Sequence, residues 1–108
     1  MSDPKIGNIF ASIPRDKSSE VFEFLAGAGQ VKIERIVSQG HTSPDSGWYD
    51  QDQNEWVMVV KGTAVITYDS GQDIRLQEGD YLNIPAHQKH KVSWTDPDTE
   101  TLWLAVFY

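Results

Sequence analysis

The sequence predicts an all-β domain, a sandwich or small barrel, interrupted by one short helix near the N-terminus. Two observations carry this. Short apolar stretches follow one another along most of the 108 residues, and Gly, Pro, Asp and Ser clusters punctuate them as turns do. The length suits one domain over 1–108, with an N-terminal extension and helix over 1–28 and a barrel over 29–108.

Taken in order, "NIFASI" reads as an edge strand closed by Pro14. Ser18 or Ser19 can cap a helix over "SEVFEFLAGAG", in which Val21, Phe22 and Leu25 share a face and Gly27 and Gly29 supply the stop. "QVKIERIVS" opens with Val31 and Ile33 alternating against Lys32 and Glu34, the pattern of a strand with one solvated face. A polar loop, "QGHTSPDSG", is punctuated by Gly40, Pro44 and Gly47. "EWVMVVKG" and "TAVITY" are apolar strands, with a hairpin turn at "DSGQ" after the second. "DIRLQEGD" sets Ile74 and Leu76 on one side before a turn at Glu78 to Asp80 and the strand "YLNIP". "HKVSW" and "TLWLAVFY" close the chain around the turn "DPDTE". In the last strand Leu102, Leu104 and Val106 form one apolar face and Trp103, Ala105 and Phe107 the other. A strand apolar on both faces is covered on both, which predicts that the N-terminal elements or a second subunit, most simply in a homodimer, lies over the outer one.

Composition narrows the function. There is no cysteine, so disulfides, thiolate metal sites and cysteine nucleophiles are excluded. Nine Lys and Arg against sixteen Asp and Glu give a net charge of −7, which repels polyphosphates and predicts no nucleic-acid partner. No apolar run approaches the length of a membrane span and the N-terminus carries no signal-like apolar core, so a cytoplasmic protein with no membrane partner is expected.

The chemistry concentrates at "YDQDQNE", where six of the seven residues from Tyr49 to Glu55 are acids or amides placed directly before an apolar strand. A carboxylate entering a core must be solvated, protonated, ion-paired or metal-bound. His90 opens a later strand and is the natural partner of Glu55. An imidazole and a carboxylate suit Mn, Fe, Ni or Zn and invite further ligands.

Glu55 and Gly62, spaced as E(x)6G, and then Gly79, Pro85 and His90 in "GDYLNIPAHQKH" resemble the two sequence motifs of the cupin superfamily, over about residues 47–94. The resemblance implies a double-stranded β-helix, or jelly roll, and a divalent metal at the barrel mouth. In that family the first motif also carries HxH a few residues before the Glu; here those places hold Tyr49 and Gln51, or Trp48 and Asp50. The glycine that follows the motif proline is replaced by His87, and the asparagine that often ends the second motif by Trp94. Alternation puts Tyr49, Gln51, Gln53 and Glu55 on one side, so Gln51 is the substitute ligand, with Asp50 or His41 to complete the set.

Two functions follow as expectations. One is an enzyme in which a metal held by Glu55, His90 and Gln51, Asp50 or His41 acts on a small organic molecule, or in which Glu55 and His90 alone serve as an acid–base pair. The other is a metal-free module that binds a small metabolite. In both, Trp48, Tyr49, Tyr81 and Trp94 are candidates to line the pocket.

Overall fold

A computed structural model describes residues 4–16, 18–43 and 47–108, and Pro44 of the predicted loop lies outside these. The described residues form eight strands: β1 (Val21–Ala28), β2 (Val31–Ser38), β3 (Glu55–Lys61), β4 (Ala64–Tyr68), β5 (Asp73–Leu76), β6 (Tyr81–Ile84), β7 (His90–Thr95) and β8 (Thr101–Phe107). They form a five-stranded sheet in the order β1-β2-β8-β3-β6 and a three-stranded sheet in the order β5-β4-β7, with every pairing antiparallel. Among the described residues no helix is long and apolar enough to cross a membrane.

Alternation decides what each sheet buries. On the five-stranded sheet Ile36, Val57, Val59, Trp103 and Ala105 point into the core, and Ala64 and Ile66 of β4 with Leu76 and Ile84 complete it. Because β8 lies between β2 and β3, its Trp103 stands opposite both Ile36 and Val59. It is only 2% exposed.

The segment expected to be a helix is strand β1. Its apolar residues satisfy a helical face only over one turn, whereas pairing with β2 runs the length of the segment, in register Val21↔Val37 to Ala28↔Val31 with a register shift between Phe24 and Ala26. Gly29 does not end a helix; with φ of +58° it opens the two-residue Gly29–Gln30 hairpin that joins β1 to β2.

"NIFASI" is not an edge strand either. Asn8 Oδ1 accepts from the Phe10 N–H at 2.8 Å and turns the chain. Arg35, on the outer face of β2 and 4% exposed, then clamps the segment by donating to the carbonyls of Ile9, Ala11 and Ser12 while pairing with Glu23 at 2.7 Å. An extended strand would withdraw those carbonyls from the guanidinium. This clamped segment covers part of the outer face of the sheet, and Leu104 and Val106 of β8 are partly exposed.

The first motif glycine has a steric reason. Gly62 sits at φ +95°, and a Cβ there would fall 2.6 Å from Thr101 Oγ1 and 2.8 Å from Thr101 Cα. The β3–β4 turn can therefore press against the start of β8 only with glycine at that point.

Candidate functional site

A cavity of about 140 Å³ lies between the two sheets. Glu55 and Val57 of β3, Ile36 of β2, Trp103 and Phe107 of β8 and Ile84 of β6 form one wall; Ile66 of β4 with His90 and Val92 of β7 form the other; Tyr49, Gln51, Glu20 and Phe22 close the sides. The apolar majority comes from strand interiors. The polar groups enter where strands begin.

Glu55 is the first residue of β3 and His90 the first of β7, so each keeps core-facing geometry while its neighbours in the loop supply polar partners. His90 Nε2 stands 3.3 Å from Glu55 Oε1, and the two side chains are only 6% and 13% exposed. On the other side of the ring, Nδ1–H donates to the Gln88 carbonyl at 2.8 Å. Both ring nitrogens thus face acceptors, an arrangement that only the imidazolium satisfies in full. Burial alone disfavours that charge, but the hydrogen bonds to Glu55 and to the Gln88 carbonyl, with the negative charge of Glu55, outweigh it and hold the His90 pKa above the ordinary histidine value.

The acid-and-amide run answers two needs. Tyr49 forms an antiparallel bridge with His90, its N–H donating to the His90 carbonyl at 2.8 Å and its carbonyl accepting at 3.1 Å, and its ring centroid lies 5.7 Å from that of His90. The Gln51 carbonyl accepts from the His87 N–H at 2.8 Å, and Asn54 Oδ1 accepts from the Ala86 N–H at 2.9 Å. These bonds sew the loop onto the Pro85–Lys89 turn that delivers His90. Gln53 turns instead to the Gln30 carbonyl in the β1–β2 hairpin. Of the residues expected on one side, Tyr49, Gln51 and Glu55 line the cavity.

Several candidates stand elsewhere. Asp50, proposed as a metal ligand, bonds His87 Nδ1 at 2.9 Å on the exposed rim. The His41 Nδ1 accepts from the Gln39 N–H at 2.9 Å and its carbonyl accepts from Thr95 Oγ1 at 2.6 Å; His41 is not among the cavity residues. Three of the four aromatic candidates are exposed and stand outside the cavity lining, each against a neighbour on the outer surface. Trp48 lies under Lys91 Nζ at 4.5 Å, Trp94 under the Arg75 guanidinium at 5.6 Å, and Tyr81 tilts against Trp56 with centroids 5.4 Å apart. Tyr49 alone of the four lines the cavity.

What the sequence reading missed is a buried polar relay at another part of the wall. The Trp103 indole N–H donates to Ser38 Oγ at 3.2 Å, and the Ser38 hydroxyl donates to Glu20 Oε2. Ser38 is fully buried and Glu20 borders the cavity. Glu20 was hidden by the helix reading; as the residue before β1, it falls next to Ser38 at the end of β2, because Val21 pairs with Val37.

The cupin resemblance implies a divalent metal, and the donor set can be tested against it. Protein metal centres of this kind use three or more His, Cys, Asp or Glu ligands, and among the described residues no such group of three converges. Glu55 and His90 contribute two, and Gln51 could add only a neutral amide oxygen. The described residues do not make a metal cage.

Comparison with known proteins places the chain. Residues 33–107 match the family model described as "Cupin domain". A crystal structure from Ralstonia eutropha JMP134, described as a "putative mannose-6-phosphate isomerase", is 46% identical, covers 96% of this chain and 97% of its own, and superposes with a TM-score of 0.91. A cupin superfamily protein from Desulfitobacterium hafniense DCB-2 is 22% identical over 97% of this chain and 92% of that one, with a TM-score of 0.76. A cupin-family protein with a double-stranded β-helix fold from Methanocaldococcus jannaschii is 20% identical over 89% and 85%, with a TM-score of 0.69. No curated protein matches. Two packed antiparallel sheets, a glycine-locked turn after β3, and a Glu and a His brought together at the starts of β3 and β7 thus accompany a family match over most of the sequence: the chain belongs to the cupin family.

Proposed function

We propose that the cavity binds a small organic molecule and that Glu55 and His90 act on it as a coupled proton-transfer pair, without a resident metal. The observation that carries this is the 3.3 Å approach of His90 Nε2 to Glu55 Oε1 inside the cavity, with the other ring nitrogen anchored on a carbonyl. The anchor fixes the ring plane and the tautomer, so the mobile proton is the one on Nε2. A substrate lying against both side chains would receive that proton from His90 at one atom while Glu55 takes a proton from another, so the substrate keeps its proton count and the pair ends with His90 neutral and Glu55 protonated. This is the movement an isomerase-like step requires.

The size and charge of the cavity set the ligand class. A volume of about 140 Å³ is near that of cavities that admit a benzene-sized molecule. The cupin structure from R. eutropha is described by a phosphosugar activity. That substrate does not suit this cavity: among the described residues neither Lys nor Arg lines it, and two carboxylates do. A phosphate dianion would meet repulsion with no bidentate donor to hold it.

Thermal melts before and after chelator, and after readdition of Mn, Fe(II), Ni or Zn, test the metal-free claim. The expected melting temperature ignores every ion. A rise that disappears in both Glu55→Gln and His90→Ala would replace the proton pair by a metal centre.

The homodimer expectation becomes a proposal of its own. β1 is an edge strand of eight residues that exposes Phe22, Phe24 and Leu25, and a second copy related by a two-fold axis could pair and cover it. Sedimentation should give a dimer that Phe24→Lys converts to monomer; a wild-type monomer at all concentrations removes the idea.

A further inference from the structure

The charge and the walls of the cavity together name a narrower ligand. Trp103 and Phe107 of β8 and Tyr49 of the loop put three aromatic rings on its lining, with Phe22 at the more exposed side. Glu20 and Glu55 add two carboxylates; the ring of His90 faces Glu55 and balances it, and among the described residues no Lys or Arg lines the cavity to balance Glu20. The nearby ammonium of Lys32 lies 4.8 Å from the Phe107 ring centroid but is paired with Glu34 at 3.5 Å, so it adds no net charge at the mouth.

Glu20 is held by design of the wall. Ser38, fully buried, receives the Trp103 N–H and gives its own hydroxyl proton to Glu20, so one carboxylate oxygen is fixed by neutral donors instead of by a cation. A carboxylate positioned this way at an apolar, aromatic wall retains its full attraction for a positive ligand, and the faces of the rings add to it. An anion meets like charge and is repelled, and a neutral ligand meets only the apolar wall.

Resting on the reading of this cavity as a binding site, we propose that its ligand is a compact organic ammonium ion, its charge directed to Glu20 and its apolar body against Trp103, Phe107 and Tyr49. Three probes of nearly one shape separate charge from size: tert-butylammonium, tert-butanol and pivalate. Binding is followed by the shift of the Trp103 indole N–H resonance, which sits one hydrogen bond from Ser38 and two from Glu20. The expected result is saturable binding of the ammonium at least tenfold tighter than the alcohol, no response to pivalate, and a tenfold or greater loss in Glu20→Gln, which keeps the shape and the Ser38 hydrogen bond. If the alcohol binds as tightly as the ammonium, or pivalate binds best, the charge assignment is overturned while the cavity remains a binding site. If no probe moves the Trp103 resonance, the ammonium proposal is likewise overturned; the Glu55–His90 pair is then judged separately, by the titration of His90 in the ligand-free protein.

Discussion

Two histidine–carboxylate pairs lie three residues apart in the chain, and they differ in almost everything except chemistry. His87 approaches Asp50 at 2.9 Å and Asp52 at 3.7 Å, yet its side chain is 65% exposed and those of its partners are 42% and 97% exposed. His90 stands further from Glu55, at 3.3 Å, but both are nearly enclosed. Distance alone would rank the first pair higher. Water decides otherwise: an exposed pair is screened and gains little, whereas an enclosed one shifts proton affinity and couples to folding.

The two pairs separate most clearly when each histidine is removed. His90→Ala should lose about 2–3 kcal/mol, because it opens a cavity and strands the Glu55 carboxylate, whereas His87→Ala should change stability by no more than about 0.5 kcal/mol. Urea melts of the two variants measure this; equal losses would mean that enclosure does not distinguish the pairs.

Glu55→Gln should cost less, about 1–2 kcal/mol, since the amide keeps the volume and loses the charge-assisted contact. It also tests a pH signature. The folded pKa of His90 is raised, so the stability drawn from the pair is fully present below the unfolded histidine value of about 6.5 and declines as pH rises through the folded value. Melting temperature should fall across that window in the wild type, after allowance for the other groups, and Glu55→Gln should flatten the fall. Asp50→Asn should leave the same profile unchanged.

The smallest expected effect concerns the backbone at the exposed pair. His87 has φ of +66°, a region that disfavours a β-carbon, at the place where the cupin motif has glycine. His87→Gly should therefore be neutral or stabilise by up to about 1 kcal/mol, the relief of strain offset in part by the freer unfolded chain. A loss greater than that would show that the His87–Asp50 contact carries more than its exposure implies.

Much of the fold was readable because its signals are local. Strands β2 to β8 each carry their own alternation or apolar run between turn residues, and the spacing of Glu55, Gly62, Gly79, Pro85 and His90 encodes a register that brings two strand starts together. Strand β1 was not readable because Val21, Phe22 and Leu25 fit a helical face as well as a strand, and the choice is made by β2, which lies outside that window. The aromatics failed for a related reason. Tyr81 faces outward because it lies on the face of β6 opposite Ile84, and Trp94 because the β4–β7 register shifts between Val65 and Ile66, a shift that only the folded sheet reveals. Glu20 needed both corrections at once: a strand in place of the helix, then the pairing that sets it beside Ser38.

The most direct measurement follows the ring C–H resonances of His90 through pH in the ligand-free, metal-free protein and again in Glu55→Gln. The expected wild-type midpoint lies above the ordinary histidine range and drops when the carboxylate becomes an amide. A His90 that titrates at or below its ordinary value, or whose midpoint ignores the change at position 55, contradicts the coupled pair on which the function rests.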